Sequence, residues 1–156
     1  MELRKDIRCE IIVADNGSTD KSAELAAAAG ARVVPVKERG YGAALKGGFA
    51  AAEFEYLAFA DADGSYPINL LPELYDAALN SNADMVISSR MNGAKIEEGA
   101  MPFLHRYLGT PVLTGLINLF FHGHLSDCNS GFRLMKKTAM KTGILNRTAW
   151  NLPVNC

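Results

Sequence analysis

Four short apolar runs, each closed by polar turn residues and separated by helix-forming segments, constrain this chain more than any other feature. Glu10–Ala14 (EIIVA) ends in DNG and reads as a buried strand running into a turn. Ser18 or Thr19 is placed to cap a helix through Ala29, with Asp20 and Glu24 near its positive end and Gly30 as its stop. Arg32–Val36 is a second strand, and Tyr41–Phe54 a second helix in which Gly47 and Gly48 each cost about 1 kcal/mol relative to alanine. Tyr56–Ala60 is a third strand. Leu70–Leu79 is a third helix, with Ile68, Leu71, Tyr75 and Ala78 on one face and Pro72 tolerated in its first turn. Asp84–Ser89 is the fourth strand. Strands alternating with helices predict a mostly parallel α/β sheet covered on both faces, the Rossmann-like arrangement. Ligands bind such sheets beyond the carboxyl ends of the strands. The polar motifs DNGSTD, DADGS and SSR all follow strands at those ends.

The pattern changes after Arg90. The stretch MNGAKIEEGAMP leads into a mostly apolar helical segment, Phe103–Leu125, whose run Leu108–Phe121 carries no formal charge. That run is shorter than the roughly 20 residues a membrane span needs, and Gly and Pro interrupt it. A surface-lying helix or a buried core helix fits it better. The length of 156 residues suits one domain, expected to divide into a half over 1–90 and a second part over 91–156. A net charge of −1 argues against a nucleic-acid partner, which would call for an excess of Lys and Arg. Three cysteines, Cys9, Cys128 and Cys156, show no metal-binding spacing, so a reducing, cytoplasmic setting is expected. No signal peptide is expected, because the first nine residues are mostly charged.

Asp61 and Asp63 carry the sharpest chemical signal. Two carboxylates at i and i+2 on an extended strand end point to the same side, and like charges held together call for a cation. Hard oxygen ligands suit Mg²⁺ or Mn²⁺. The plainer reading of DADG is an acidic turn. Asp15, beside Asn16 and Gly17, is placed either to accept hydrogen bonds from a nucleotide or to close an Asx turn. GYGAALKGG offers G-x-G before a helix, but Lys37, Glu38 and Arg39 intervene after the strand and Leu45 replaces the third glycine. A dinucleotide fingerprint is therefore rejected. The glycines of this run, Gly40, Gly42, Gly47 and Gly48, are read instead as allowing close backbone approach to a ligand or a neighbouring helix. Arg90, Arg106 and Arg133 follow strand and helix ends; convergent guanidiniums bind phosphate bidentately, while singly each reads as a surface residue. His122 and His124 flank a glycine without further ligands, and Cys128 lacks the His–Asn company of a thiol nucleophile.

Together, VADNGSTDKS (13–22), ERGYGAALKGGFAAA (38–52), FADADGSYP (59–67), ISSR (87–90), MPFLHRYLGTPVLTGLINLFF (101–121) and SDCNSGFR (126–133) resemble the inverting glycosyltransferases of family 2. The likeness is greatest to the branch that makes dolichyl- or polyprenyl-phosphate sugars. The resemblance implies a GT-A fold, a UDP- or GDP-sugar donor and a divalent metal. It places Asp15, with Gly17, Gly40 and Gly42, and Asp61 at the nucleotide sugar, and Asp61 and Asp63 at the diphosphate and metal. Arg90, Arg106 and Arg133 become candidates for the acceptor phosphate, at the cytoplasmic face of a membrane with peripheral contact. The implied chemistry is an in-line displacement at the anomeric carbon, with inversion. A lipid-phosphate acceptor is already an anion and needs orientation more than a base. A saccharide hydroxyl would require a carboxylate base, for which Asp127 is the candidate, against its alternative as a turn residue.

Two departures set further expectations. Nothing like the family's opening VVIPAYNEE segment precedes Glu10, and the pattern fades from Thr142 on, as in a truncated member. In the GT-A sheet that opening strand lies centrally, between the strands at Glu10–Ala14 and Tyr56–Ala60. The sheet is therefore expected to be rearranged or incomplete, and a catalytically inert fragment or binding module is a third reading.

Overall fold

The computed structural model describes residues 7–64, 66–89, 109–121, 126–142 and 148–153. Its elements run β1 (Ile12–Asp15), α1 (Ser22–Ala28), β2 (Arg32–Pro35), α2 (Tyr41–Ala51) and β3 (Tyr56–Phe59). A 3-10 turn (Ile68–Leu70) leads into α3 (Leu71–Ser81), β4 (Met85–Ser89), α4 (Thr110–Phe121), β5 (Arg133–Lys136), α5 (Lys137–Thr142) and β6 (Thr148–Pro153). The chain packs as two compact units, one within Lys5–Leu57 and one from Ala58 onward.

In the first unit β1 and β2 pair in parallel, from Ile12 opposite Arg32 to Asp15 opposite Pro35. Both α1 and α2 pack on this pair. The glycines of α2 earn their place here: a Cβ on Gly47 would fall on the Val36 side chain, and one on Gly48 would stand 3.4 Å from Ala14 Cβ. Their propensity cost is offset by close helix–strand contact. Helix α1 begins at Ser22, later than a cap at Ser18 or Thr19 would place it. The backbone is held in turns instead, with Ser18 N–H donating to Asp15 Oδ1 (3.0 Å) and Ser22 N–H to Asp20 Oδ1 (2.9 Å). No residue of β1, α1, β2 or α2 is buried. A polar clasp closes the far end. Arg32 donates to the Glu10 carboxylate and to the Ala51 carbonyl (2.7 Å), while Glu10 Oε1 accepts the Glu53 N–H at 2.6 Å.

The second unit holds the core. Its sheet has the order β3-β5-β4-β6, with β5 antiparallel to β4 and β6 parallel to it. All five residues of β4 are buried, and α3 packs across β4, β5 and β6. On α3 the residue with no exposure is Leu74, in register with Ala78 one turn on. The expected face of Ile68, Leu71 and Tyr75 is only half-buried, because Ile68 belongs to the preceding 3-10 turn and the helix is rotated to seat Leu74.

The structure has six strands among the described residues where the sequence pattern marks four. Strands β5 (RLMK) and β6 carry too little apolar periodicity to be seen alone and exist by pairing with β4. Strands β1 and β3 fall in separate sheets and residues 7–11 form no strand; residues 1–6, the rest of the segment before β1, lie outside the described residues.

Candidate active site

In the first unit the candidate residues lie on the loops after β1 and β2. Asn16 ties those loops together: its Nδ2 donates to the carbonyls of Val36 (3.2 Å) and Glu38 (2.6 Å), and its Oδ1 accepts Gly40 N–H (2.7 Å). Arg39 donates to the carbonyls of Asn16 (2.6 Å) and Gly17 (3.1 Å). Gly17 has φ +90°, a backbone conformation that favours glycine, and the Arg39 guanidinium lies where a Cβ would stand. The hydroxyl and then the N–H of Ser18 hold the Asp15 carboxyl below its ordinary range, with Gly17 N–H and the Arg39 charge adding to the effect. Asp15 therefore closes this turn as an anion. Gly40 precedes the first turn of α2, and a Cβ on Gly40 or Gly42 would meet open space. Among the described residues neither stands against another element, whereas Gly47 and Gly48 of the same run make close approaches, to Val36 beyond β2 and to Ala14 of β1 rather than to a helix.

In the second unit Asp61 and Asp63 are exposed beyond β3. The strand ends at Phe59 and residues 62–63 form a turn, so this turn, rather than strand alternation, carries the pair. Asp61 Oδ2 lies 3.1 Å from where a Cβ on Gly131 would stand, and Tyr66 Oη lies 3.0 Å from the same point. Gly131 N–H donates to Tyr66 Oη at 2.6 Å, and the Tyr66 ring packs at a tilt on Phe132, centroids 6.2 Å apart. Thus the DADGSYP and SDCNSGFR segments meet here, at a space that the missing Cβ keeps open. Among the described residues no three His, Cys, Asp or Glu side chains cluster as a closed metal cage. Asp61, exposed beside that space, and Asp63, exposed two residues on, are hard oxygen donors of the kind that fits Mg²⁺ or Mn²⁺, which keep several waters and share ligands with substrate phosphates.

The SDCNSGFR loop is anchored by hydroxyls on the end of β4. Ser88 Oγ and Ser130 Oγ are 2.7 Å apart, Ser126 Oγ donates to Ser89 Oγ at 2.7 Å, and Ser88 N–H donates to the Phe132 carbonyl (3.0 Å). Arg133 is half-buried and donates to the carbonyls of Ser130 (2.8 Å) and Cys128 (3.1 Å), so it braces this loop. Asp127 is fully buried and its Oδ1 accepts Asn129 N–H at 3.0 Å. The Cys128 thiol is free, 3.6 Å from Asn129 Oδ1. Arg90, Arg106, His122, His124 and Cys156 lie outside the described residues. Sequence reasoning gave no role to Asn16 or Tyr66, although both stand inside quoted motifs; their partners are distant in sequence and only the fold reveals them.

The sequence pattern of Glycosyl transferase family 2 matches residues 3–143. The chain is 39% identical over 133 residues to the low-salt glycan biosynthesis hexosyltransferase Agl6 of Haloferax volcanii, covering 85% of this chain and 32% of that protein. It is 31% identical over 134 residues to the dolichyl-phosphate hexose transferase of the same organism, covering 85% of this chain and 55% of that protein. The chain thus spans between about a third and somewhat over half of these relatives. Among solved structures it is similar to glucosyl-3-phosphoglycerate synthase from Mycobacterium tuberculosis in complex with Mn²⁺, UDP and phosphoglyceric acid. That match has a TM-score of 0.60 and 26% identity over 83% of this chain and 45% of the other. The α/β architecture is that of the GT-A glycosyltransferases. With its motifs in family order and the pattern matched across most of its length, this chain belongs to glycosyl transferase family 2.

Proposed function

We propose that this chain is the donor-binding and acceptor-side part of a glycosyltransferase that moves a hexose from UDP- or GDP-sugar to a polyprenyl phosphate, with inversion. The observation that carries the reading is the meeting of Asp61 with the SDCNSGFR loop at Gly131, which brings the donor-side acid beside the acceptor-side segment. Residues 1–90 are assigned to the donor and 91–156 to the acceptor. Asp15, Gly17, Gly40 and Gly42 are assigned to the nucleoside, and Asp61 and Asp63 to the diphosphate and its Mg²⁺ or Mn²⁺. When bound, that ion offsets the charge that builds on the departing nucleoside diphosphate. Asp61 and Asp63 would hold that ion, and the SDCNSGFR loop, braced by its hydrogen bonds to β4, is assigned to hold the acceptor in line with the anomeric carbon. Arg133, and from the sequence Arg90 and Arg106, are assigned to the acceptor phosphate.

A lipid-phosphate acceptor is supported by a relative named for dolichyl phosphate. It is also supported by the uncharged helix α4, whose Leu119 and Phe120 are each 70% exposed. That face suits peripheral contact with a membrane surface; among the described residues no helix is long and apolar enough to cross one. Asp127 would be the base for a hydroxyl acceptor. Its burial and its bond to Asn129 N–H favour a loop-bracing role, and an anionic acceptor needs no such base.

Calorimetric titration of UDP- and GDP-sugars with Mn²⁺ tests the donor site. Asp61→Ala should weaken metal-dependent binding at least about a hundredfold, the loss expected when a direct metal ligand is removed. Unchanged binding would refute the assignment.

A further inference from the structure

Helix α4 is inverted relative to an ordinary surface helix, which turns its apolar stripe to the core and its polar side chains to water. Its buried side chains, among the described residues, are two threonines, Thr110 at 2% and Thr114 at 5% exposure, one turn apart on the same face. Val112, Leu113, Leu116, Leu119 and Phe120 are all exposed and fall on the opposite face. What the threonines touch is the SDCNSGFR loop. Cys128 N–H donates to Thr114 Oγ1 and Asn129 Nδ2 donates to Thr110 Oγ1, each at 3.2 Å. Other residues of the loop are bound to β4, Ser126 to Ser89 and Ser130 to Ser88. Arg133, assigned above to the acceptor phosphate, donates to the carbonyl of Cys128, whose neighbouring N–H is the one Thr114 receives. The loop is therefore held from two sides, by hydroxyls of the core strand and by hydroxyls of a helix that shows its apolar side to the outside.

We propose that Thr110 and Thr114 are positioning residues for a lipid-borne acceptor: they fasten the acceptor loop to a helix whose outer face rests on the lipid surface. Docking of α4 then sets the level at which the loop meets the acceptor phosphate. The phosphate of a membrane lipid lies just outside the acyl chains, and a helix lying in the interface buries its apolar face about 5–10 Å into that boundary. A loop hydrogen-bonded to such a helix is thereby held at the phosphate's own depth. The polar inner face follows from the same need, since apolar side chains could not receive the Cys128 N–H and the Asn129 amide, and a buried donor left unpaired is costly. A phosphorylated acceptor free in solution would need no such reference. The inference rests on the lipid-phosphate reading above and adds to it the side chains that tie the lipid-facing helix to the acceptor loop.

Amide hydrogen exchange of residues 126–133 is followed by mass spectrometry with and without phosphatidylcholine vesicles, at about ten times the lipid that gives half-maximal co-sedimentation. Docking opposes every opening that lifts α4 from the lipid, so vesicles should slow exchange of the wild-type loop about tenfold. Thr110→Val with Thr114→Val keeps the branched shape of both side chains and removes the hydroxyls. This double variant should co-sediment as the wild type does, while its loop exchanges at one rate with and without vesicles. A purely structural role would speed exchange in both conditions and leave the slowing by lipid intact. A vesicle-bound wild type whose loop exchange ignores lipid, or a double variant that keeps the full slowing, overturns the inference and leaves the lipid reading standing. If the wild type does not sediment with vesicles, or if a second copy covers α4 and the protein is a dimer without them, lipid contact and the inference fall together. Should the double variant lower the thermal midpoint by several degrees, Asn129→Ala decides on the same measurements. It removes the loop's bond to Thr110 and leaves both threonines in the helix, so its slowing by lipid should be smaller than that of the wild type; an equal slowing overturns the inference.

Discussion

Single polar side chains do in the first unit what a core does elsewhere. Asn16 satisfies three backbone groups across two loops, and Glu10 with Arg32 and Glu53 N–H joins the approach to β1, the start of β2 and the residues after α2. Bonds from Glu53 N–H and then from Arg32 hold the Glu10 carboxyl below its ordinary value of 4.5. A group that titrates lower in the folded than in the unfolded chain adds stability above its unfolded value. That contribution is lost as pH falls through the lowered, folded one. Glu10→Gln should therefore reduce the thermal midpoint by about 1–3 °C at pH 7, with the difference from wild type shrinking as pH falls below 4.5 and through the lowered folded value. A midpoint difference independent of pH, followed by circular dichroism, would show that the clasp contributes no charge term. At this scale the sequence singles out Asp15, Asp61 and Asp63 as candidates, because each follows an apolar run at a strand end. Tyr66 is not singled out, because its partner Gly131 is 65 positions away and a tyrosine in a turn carries no pattern of its own.

Helix α4 is the element whose sequence and setting agree most openly. TPVLTGLINLFF has no charge, and Val112, Leu113, Leu116, Leu119 and Phe120 are all 44% exposed or more. A soluble surface seldom leaves so many large apolar side chains on one short helix without a use for them. Leu119→Asp with Phe120→Asp should reduce co-sedimentation with phosphatidylcholine vesicles at least about tenfold, given the cost of burying two carboxylates at a lipid interface. Equal sedimentation of both proteins would remove α4 from the membrane. Elements up to β4 could be read from the sequence because each is punctuated, by DNG, by Gly30, or by DADG. By contrast β5 begins and ends on charged residues, Arg133 and Lys136, and its strand character comes from the register with Met85–Ile87. Tertiary pairing outweighs local preference there, and no local rule could have supplied it.

At the scale of the molecule, burial is divided unequally. The fully buried side chains Phe132, Leu74 and Val86 all lie in the unit from Ala58 onward, whereas β1, α1, β2 and α2 contain no buried residue. Local opening is easiest where few apolar contacts are lost. Amide hydrogen exchange followed by mass spectrometry should accordingly show Ile12–Ala51 exchanging at least about tenfold faster than Met85–Ser89. Uniform protection across both would mean that the two units open as one. The strand order β3-β5-β4-β6 has a further consequence, for the moment of synthesis. Strand β1 meets β2 after only a short helix, so that pair can form while the chain is still emerging from the ribosome. Strand β4 acquires neither neighbour until Arg133–Lys136 and then Thr148–Pro153 have been made. Through that interval its apolar half, Met85–Ile87, waits with both edges unpaired, and nascent chains are most exposed there to chaperones or to one another.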